Sequence, residues 1–585
     1  MNSTLGSNDI ENMCDSTLHE IAYDAPTNRG SIDTFTLKNT GVQNWKTLES
    51  NMRTLSKKMK TMIRKVDLVA SYHAQNLDRP EFYKLIQKRA MRSQSGVLVC
   101  TVFTDAFPTY YDSEKKKVAT QKFSCKHDCF FCPSEPARVE NNWQAQPRSY
   151  LSNEPGVARA CSVNYDCVAQ MKVRMKQYQR MGHKIDKLEV LVLGGTWSEY
   201  PEDYQVEFCR NIYYSANTFF DRREERFPLE TEILLNENAK ISIIGLTLET
   251  RPDAITLDEI KNFRKYGCTR VQMGAQHTDD KILKMSNRGH TVQHTIDAIR
   301  LLKYNGYKID LHVMPNLYGS SPETDIKMLS RILFDQELQA DQLKLYPVSV
   351  VPWSKYEKMH KEGTYKPYDD EKLKRVLIWV KSRMHPWIRL NRIIRDIPID
   401  SISGGCQNPN MRQSLSKLVD CRCIRCREVK GGDIGEMYLK IREYDGSHGR
   451  EIFLSYESMN EKIIYGFLRL RFQKNIHPTL ILPELYDSAL IRELHVYGDL
   501  SRKGDLKGHQ HNGIGSKLLK GAERISIKNG YKNIAVISGI GVRKYYRNRG
   551  YTKTTEFGYL IKTFRFLDYL MCMLQFILTL LKSTV

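Results

Sequence analysis

Short apolar runs alternate with longer amphipathic segments between residues 97 and 400 of the chain. This alternation is typical of βα units built around a parallel sheet. One predicted helix carries Ile296, Ile299 and Leu302 on one face and ends before Gly306, since glycine is favoured just past a helix end. The predicted strands are Val97–Phe103, Leu188–Leu193, Ile241–Leu248, Thr269–Gly274, Lys308–Met314 and Gln342–Tyr346.

Six βα units are too few to close an eightfold barrel. The pattern therefore predicts an α/β fold whose first domain, residues 97–400, is a partial (βα)6 barrel, open on one side to admit a large substrate. In barrels of parallel strands the active site lies at the carboxyl ends of the strands. We expect the functional groups of this domain at that end.

The pattern changes after residue 400. Residues 401–434 form a connector rich in glycine and cysteine, and residues 435–562 have mixed α and β character with the size of one small domain. A hydrophobic tail, residues 563–585, contains the uncharged run YLMCMLQFILTLL. This run is short for a membrane span, which takes about 20 apolar residues, so we weigh membrane association against a terminal helix docked on the protein or on a partner.

Composition places the chain among globular, multidomain proteins, because 585 residues with 41% apolar content can bury substantial cores. The 14 cysteines are numerous, but no amino-terminal hydrophobic signal segment precedes them. Reduced thiols and metal ligation are therefore expected rather than disulfides. We expect a cytoplasmic protein, with the tail as an alternative tether to a membrane.

The net charge of +22 favours a polyanionic partner, because such a surface releases counterions from phosphates. Residues 1–36 are acidic and are expected to be disordered, whereas residues 37–96 are predicted to be a basic helical segment. Tyr72, Phe82 and Tyr83 lie among its basic residues. Base stacking combined with phosphate neutralisation would make this segment an RNA contact, although a solvated helix face gives the same pattern.

Three cysteines in the run FSCKHDCFFCP have the spacing C-x3-C-x2-C: Cys125, Cys129 and Cys132. Three thiolates so close together can hold one face of a 4Fe-4S cluster and leave the fourth iron open to a ligand. A partial zinc site is the alternative interpretation.

A second group, Cys421, Cys423 and Cys426, has the spacing C-x-C-x2-C. With Cys406 or His448 as a fourth ligand it would form a tetrahedral zinc site. Free thiols in a basic turn are the alternative.

The segment Gln510–Ser516 is a glycine turn that opens a predicted helix, Lys517–Lys528. Unpaired backbone amides at such a turn, together with the helix dipole, stabilise a pyrophosphate. The later run VRKYYRNRGY accompanies this turn. The two motifs together resemble those of the GNAT acyltransferases, which bind acetyl-CoA.

Many long motifs in collinear order, from Arg89 to Lys562, resemble the catalytic subunit family of Elongator. They include RAMRSQSGV, CKHDCFFCP, QPRSYLSNEPGVARA, GLTLETRPD, GCTRVQMGAQ, NRGHTV, IRELHVYG and AVISGIGVRKYYRNRGY. The resemblance implies a radical S-adenosylmethionine (SAM) barrel followed by a GNAT acetyltransferase domain. It implies that acetyl-CoA supplies the carbon added to C5 of the wobble uridine of tRNA. Accessory Elongator-type subunits or a second copy of the chain are the protein partners that it suggests.

The resemblance also implies roles for matched residues. Cys125, Cys129 and Cys132 correspond to the cluster ligands. The SAM amino group would meet Gly194, Gly195 and Thr196, and acetyl-CoA would be reached from the barrel by Lys187. The remaining matches are the pantetheine strand Glu493, Leu494, His495 and Val496, the pyrophosphate turn Gln510, Gly513, Ile514, Gly515 and Ser516, and the tyrosine beside the thioester, Tyr546.

One departure concerns Pro133-Ser134-Glu135-Pro136, which follows the last cysteine where eukaryotic members commonly have a glycine pair. The cluster ligands are unaffected, but the details of the SAM pocket do not transfer. Two other functions stay open. The carboxyl domain alone could act as a protein lysine acetyltransferase, or the chain could be a tRNA-binding scaffold with residual acetyl-CoA hydrolysis.

Overall fold

The structure is a computed structural model and describes residues 29–93, 95–429, 435–498 and 513–583. The expected acidic head up to residue 28 and the predicted cofactor residue Gln510 lie outside the described residues.

Nineteen α-helices are found in the described residues. The first eight are α1 (Arg29–Lys38), α2 (Trp45–Met59), α3 (Lys65–Ala74), α4 (Pro80–Ile86), α5 (Pro155–Cys161), α6 (Cys167–Arg180), α7 (Glu202–Thr218) and α8 (Leu229–Asn236). The next six are α9 (Leu257–Lys265), α10 (Asp280–Met285), α11 (Val292–Tyr304), α12 (Pro322–Phe334), α13 (Lys355–Lys361) and α14 (Asp370–Ser382). The last five are α15 (Met411–Ser416), α16 (Ile424–Arg427), α17 (Ile514–Lys528), α18 (Arg543–Arg547) and α19 (Phe566–Ser583).

The same residues contain eighteen strands. The first eleven are β1 (Leu98–Phe103), β2 (Thr109–Asp112), β3 (Lys117–Thr120), β4 (Lys187–Leu193), β5 (Ser242–Thr250), β6 (Arg270–Gln276), β7 (Lys308–Val313), β8 (Gln342–Leu345), β9 (Ser349–Val350), β10 (Arg389–Arg392) and β11 (Gly404–Gly405). The others are β12 (Tyr438–Gly446), β13 (Gly449–Glu457), β14 (Ile464–Phe472), β15 (Ser488–Val496), β16 (Asn533–Val536), β17 (Lys553–Thr554) and β18 (Leu560–Thr563).

The first sheet is parallel and has the order β1-β4-β5-β6-β7-β8-β10. The six predicted strands are confirmed, with small shifts at their ends, and α11 ends before Gly306, which adopts φ 80°. The seventh strand, β10, was missed because its sequence, RLNR, has too few apolar residues to stand out. The sheet is a partial barrel with free edges at β1 and β10.

The second sheet has the order β12-β13-β14-β15-β16-β18-β17, and within it β15 and β16 run parallel. One face of this sheet has its own core, which includes Leu468, Ile491, Leu518 and Tyr546, whereas Leu490, Ala535 and Ile561 belong to the core of the barrel. Helix α17 packs on this sheet through Ile514, Leu518 and Ala522, which are spaced by four residues and therefore share one face. The α/β barrel is thus followed by a second α/β domain, as the sequence predicted.

Helices α1 to α4 form a small unit with a core of their own. Helix α1 begins at Arg29, so the expected disordered head does not extend to residue 36. Tyr72 and Phe82, expected to stack on RNA bases, are 7% and 1% exposed in this core. Apolar burial outweighs the stacking role of these two residues. Tyr83, the third aromatic expected to stack on bases, is half-buried and donates to the Gly182 carbonyl oxygen at 2.9 Å, so the basic side chains of the unit are the remaining candidates for an RNA contact.

The two sheets meet at the amino end of β5. A Cβ atom at Gly539 would lie 1.9 Å from the carbonyl oxygen of Ile244, and one at Gly541 would lie 2.5 Å from Cβ of Ser242. Only glycine permits such an approach of two backbones. The loop before α18 therefore seats the second domain on the barrel.

The hydrophobic tail forms helix α19, whose Cys572 is 8% exposed while Phe566, Leu567 and Met571 are more than half exposed. Among the helices of the described residues, none has both the length and the apolar character needed to cross a membrane. The expected membrane tether therefore has no support from the structure.

Candidate active site

The cysteine loop lies at the carboxyl end of the parallel sheet. It follows β1 and the β2–β3 hairpin, and it contacts the turn after β4 directly. The amide of Thr196 donates to the carbonyl oxygen of Ser124 at 2.8 Å, and Thr196 Oγ1 donates to Cys125 Sγ at 3.1 Å. The structure thus brings the predicted cluster ligands and the predicted SAM turn together.

The two glycines of that turn are required by close packing. A Cβ atom at Gly194, whose φ is 132°, would lie 1.8 Å from Thr104 Oγ1. At Gly195 it would lie 1.7 Å from the Ser124 carbonyl oxygen. Any side chain would push the turn away from the cysteine loop, so the contact is possible only with glycine at both positions.

Arginines surround Cys129, which is 4% exposed. Arg288 Nη1 lies 3.4 Å and Arg251 Nη1 3.8 Å from its sulfur. Burial raises the pKa of the Cys132 thiol to about 11, and the neighbouring cysteines add to this rise while Arg148 opposes it. Without a metal these buried thiolates are unfavourable, whereas a cluster ligated by three thiolates would be stabilised by the guanidiniums. The donor set fits a 4Fe-4S cluster.

Glu135 belongs to the segment after the last cysteine of the loop, where the details of the SAM pocket do not transfer from the family. Its side chain is buried, and the residue is 2% exposed. Its carboxylate accepts hydrogen bonds from the Ser152 amide and hydroxyl, both at 2.7 Å, and from Arg138 and Asn141 at 3.1 Å. With its oxygens so occupied, Glu135 ties the cysteine loop to the segment before α5.

One cavity of about 910 Å³ runs through the barrel from the cysteine loop to the second domain. Phe131 and Pro133, on either side of Cys132, line one end, and Glu493, Leu494 and His495 on β15 line the other. The cysteine end and the β15 end, which the sequence assigned to different cofactors, therefore open into one space.

The wall of this cavity is strongly polar. Glu189 and Arg270 form an ion pair at 2.7 Å near the amino ends of their strands. Towards the carboxyl ends, Glu249 accepts a hydrogen bond from Tyr150 Oη at 2.8 Å and lies 3.4 Å from Nδ1 of His312. Burial raises the pKa of Glu249 and lowers that of His312. A polar substrate can be held along the whole length of this passage.

Strand β15 separates from β16 where the predicted pantetheine strand begins. The pairing of β15 with β16 covers Ser488 to Ile491, whereas β14 continues to pair with β15 as far as Val496. Glu493 is held by Arg469 at 2.9 Å and Lys308 at 3.8 Å, and although burial alone would raise its pKa, these cations hold it below the usual value. The gap between the strands leaves one backbone edge available to a ligand.

The described part of the predicted pyrophosphate turn, Gly513 to Ser516, lies beside Val496 at the end of β15. Gly513 adopts φ 71° and Ile514 begins helix α17, so the first amides of the helix face outward. A Cβ atom at Gly515 would lie 2.7 Å from Tyr545 Oη and 3.6 Å from Val496. The turn, the strand and the tyrosine pair thus converge on one site.

Ser516 has a cationic neighbour that the sequence analysis did not assign. Arg549 donates to Ser516 Oγ from Nη2 at 3.0 Å and from Nε at 3.2 Å, and it stacks on the Tyr545 ring at 3.7 Å. Burial raises the pKa of Tyr546, so its hydroxyl keeps its proton at neutral pH. That state is the one a proton donor requires.

Lys187 is the first residue of β4 and pairs in register with Ser242, the residue that Gly541 of the second domain touches. It is half-buried at the domain junction but does not line the cavity, whereas Glu189, two residues on, does. The predicted contact between Lys187 and acetyl-CoA stays a prediction.

The second cysteine group is assembled as its spacing predicts. The Sγ atoms of Cys421, Cys423 and Cys426 lie within 4.8 Å of one another. Cys406 is outside that group and lies near Asp370, and His448 lies 3.7 Å from Glu337. Neither expected fourth ligand therefore completes the site, whose three sulfurs suit tetrahedral zinc.

Arg251, Arg288 and Arg549 are the site residues that sequence reasoning missed. All three fall inside motifs that carried the family resemblance. Arg251 directly follows β5, and a charged residue at the carboxyl end of a barrel strand is the signal that could have identified it. Arg288 and Arg549 come from loops, whose direction the sequence does not predict.

Comparison with protein-family models gives two matches. Residues 176–331 match the radical SAM superfamily, and residues 340–419 match the radical SAM C-terminal domain. A radical SAM family implies a 4Fe-4S cluster and SAM, in agreement with the donor set around Cys129.

Curated relatives cover most of the chain. The chain is 36% identical to tRNA uridine(34) acetyltransferase of Methanocaldococcus infernus over 80% of its own length and 86% of the relative. It is 32% identical to Elongator complex protein 3 of Schizosaccharomyces pombe over 84% and 89%. A solved structure, archaeal Elp3 of Methanocaldococcus infernus lacking its amino-terminal segment, is 34% identical and matches with a TM-score of 0.66, covering 80% of this chain and 100% of that one.

Proposed function

This chain belongs to the family that includes tRNA uridine(34) acetyltransferase and Elongator complex protein 3, and we propose that it uses acetyl-CoA to carboxymethylate C5 of the wobble uridine of tRNA. The observation that carries the proposal is the single cavity of about 910 Å³ that joins the cysteine loop to β15. Carbon transfer from a thioester to a nucleobase requires both to reach one reaction space, and this cavity supplies it.

At the cysteine end, the chain binds the cluster and SAM and orients them towards the cavity. Cys125, Cys129 and Cys132 hold the cluster, and Gly194 to Thr196 leave room for the SAM amino group. When bound, a 4Fe-4S cluster with one open iron would supply the electron needed for radical chemistry with SAM. Arg251 and Arg288, which are 3% and 6% exposed, are themselves shielded from water and place their positive charge beside Cys129.

At the second-domain end, the chain binds acetyl-CoA. The unpaired edge from Glu493 to Val496 aligns the pantetheine arm, and the turn from Gly513 to Ser516 receives the pyrophosphate beside Arg549. Tyr546 lies in the core of this domain and donates its proton to the departing thiolate.

The RNA substrate is bound by positive charge. The basic unit α1–α4 packs on the barrel where Tyr83 Oη donates to the Gly182 carbonyl oxygen at 2.9 Å. Its exposed lysines contact phosphates and position tRNA without reading sequence. A wobble base is already unpaired, so turning it into the cavity costs less than flipping a base from a duplex.

Two further assignments complete the proposal. Zinc is bound by Cys421, Cys423 and Cys426 with a fourth ligand from outside the residues expected. Accessory Elongator-type subunits, or a second copy of the chain, bind the assembled protein.

The test is anaerobic reconstitution with iron and sulfide, followed by SAM, reductant, acetyl-CoA and a tRNA with wobble uridine. Nucleoside mass spectrometry should find carboxymethyluridine with the wild type and with Cys100→Ala, a buried cysteine outside the loop, but not with Cys125→Ala. Peptide acetylation without carboxymethyluridine, with the cluster intact, would establish the lysine acetyltransferase instead. Acetyl-CoA hydrolysis alone would establish the scaffold.

A further inference from the structure

Three arginines lie together along the open edge of the barrel. Arg92 ends the turn after α4, Arg159 lies on α5 and Arg174 lies on α6. All three line the cavity beside Val99 and Thr101 of β1, and all are half-buried. We refer to Arg92, Arg159 and Arg174 as the edge arginines.

No ion pair to an acidic residue is found for the edge arginines in the residues that the structure describes. Within the described part of the chain, no carboxylate oxygen lies within 4.0 Å of any of their guanidinium nitrogens. Arg174 donates to Tyr178 Oη at 2.8 Å and lies over the same ring at 4.2 Å, and Arg159 donates to a backbone carbonyl oxygen. These are neutral contacts, which leave three positive charges uncompensated.

The opposite edge of the barrel is different. On β10 and the loop after it, each arginine has a carboxylate: Arg389 with Glu428 at 2.9 Å, Arg392 with Asp396 at 3.0 Å, and Arg395 with Glu154 at 2.7 Å. The arginines at the β10 edge are therefore neutralised by carboxylates of the protein, whereas the edge arginines beside β1 have no such neighbour among the described residues.

The proximity of the edge arginines to one another has an energetic cost. Burial lowers the pKa of Arg92 and of Arg159, and the charge of Arg174 lowers both further. The guanidiniums stay charged at neutral pH because the ordinary pKa of arginine is above 12. An anion that enters among them removes the repulsion, and the planar donor forks of arginine match the oxygens of a phosphate.

We propose that Arg92, Arg159 and Arg174 together bind one backbone phosphate of the RNA substrate at the open edge of the barrel. The inference rests on the proposed function, because that function makes the ligand RNA. A nucleotide whose base enters the cavity brings its phosphate to the cavity wall, and the edge arginines line that wall beside β1. The other phosphate ester in the reaction, coenzyme A, is expected at the turn beside Arg549.

The test measures binding and needs no catalysis. An anticodon stem–loop RNA with a wobble uridine is titrated at several salt concentrations with wild type, Arg92→Gln, Arg159→Gln, Arg174→Gln and the triple variant. Arg331→Gln is the matched control, because Arg331 already pairs with Asp335 at 3.0 Å on the surface of α12. Coenzyme A is titrated in parallel, and thermal unfolding shows whether Arg174→Gln disturbs the Tyr178 contact.

Each single variant should weaken RNA binding, and the control should not. Since all three arginines share one phosphate, the triple variant should lower the slope of log K against log salt by about 0.7, the value for one contact on a single strand. The fold loss of RNA affinity in the triple variant should be smaller than the product of the fold losses in the three single variants, because the three arginines act as one site. Coenzyme A binding should stay unchanged.

Unchanged RNA binding and slope in the triple variant, with wild type binding normally, would overturn the inference and leave the proposed function standing. Weaker coenzyme A binding with unchanged RNA binding would assign the arginines to the coenzyme and also overturn it. A wild type that binds no stem–loop RNA at any salt concentration would overturn both.

Discussion

A buried ionic network at the junction of the two domains provides a sharp test of what holds them together. Three carboxylates, those of Asp341, Glu451 and Glu493, face five cations. The five cations are Lys303, Lys308, Arg469, Arg471 and Arg492. Burial lowers the pKa of Lys303 to about 8, in keeping with the position of the network away from solvent.

The perturbation is Asp341→Asn, which keeps the shape of the side chain and removes its charge. Arg492 donates to Asp341 at 2.9 Å and 2.5 Å, and the two side chains are 0% and 1% exposed. Arg469 lies 3.6 Å away. Removing one partner of such a buried pair costs about 3–5 kcal/mol, because the guanidiniums stay buried without their counterion.

Hydrogen exchange followed by mass spectrometry measures the effect where it arises. Amides of β14 and β15 should open on the order of 10²-fold more often in the variant, the change that about 3 kcal/mol produces. Asp335→Asn is the control, because its pair with Arg331 is 35% and 46% exposed, and such surface pairs are worth at most about 1 kcal/mol. If the two variants change exchange in β14 and β15 equally, the network does not hold the junction.

The pH dependence gives a second readout of the same pair. Although burial alone would raise it, Arg492 and Arg469 hold the pKa of Asp341 below its ordinary value of about 3.9. A depressed carboxyl pKa contributes stability above the unfolded-state value and loses it as the pH falls through the folded-state value. The difference between wild type and Asp341→Asn should therefore be complete at neutral pH and shrink below about pH 4.

Three other predictions concern the sites. Gly195→Ala places a Cβ atom 1.7 Å from the Ser124 carbonyl oxygen, so SAM binding by calorimetry should be lost, whereas Gly41→Ala, with no atom within 4 Å, should leave it intact. Tyr546→Phe should slow thiol release from acetyl-CoA by about 10²-fold or more without weakening coenzyme binding, and equal rates would exclude the tyrosine as proton donor. Cys426→Ser should abolish bound zinc in elemental analysis without altering iron content; loss of both metals would mean that the two cysteine groups are not independent.

Much of the fold was predictable from local pattern. The six predicted barrel strands could be identified because each carries two or more apolar residues between helical segments, whereas β10, with the sequence RLNR, carries only one. The glycine turns were predictable for a similar reason. No residue with a side chain fits where two backbones approach so closely. The glycine pair Gly194 and Gly195 therefore indicates, from the sequence alone, that another segment packs against this turn.

The candidate sites were predictable where the ligands are close in sequence. Cys421, Cys423 and Cys426 come together because four to six residues of chain can wrap only a small volume. The expected fourth ligand, Cys406, is separated from them by a longer segment, and the chain directs it to Asp370 instead. Sequence proximity is thus a reliable guide to a ligand set only over a few residues.

The sequence by itself determined the order of the domains, six of the seven strands of the barrel, the two cysteine groups and the glycine turns, because each depends on residues that are neighbours along the chain. Only the tertiary structure decided which arginines surround Cys129, that Tyr72 and Phe82 pack in a core, and that one cavity links the two sites. Among the described residues, it also left the edge arginines without an acidic partner. The physical reason is that burial and electrostatic pairing depend on distances between residues that are far apart in sequence, and only the folded chain sets those distances.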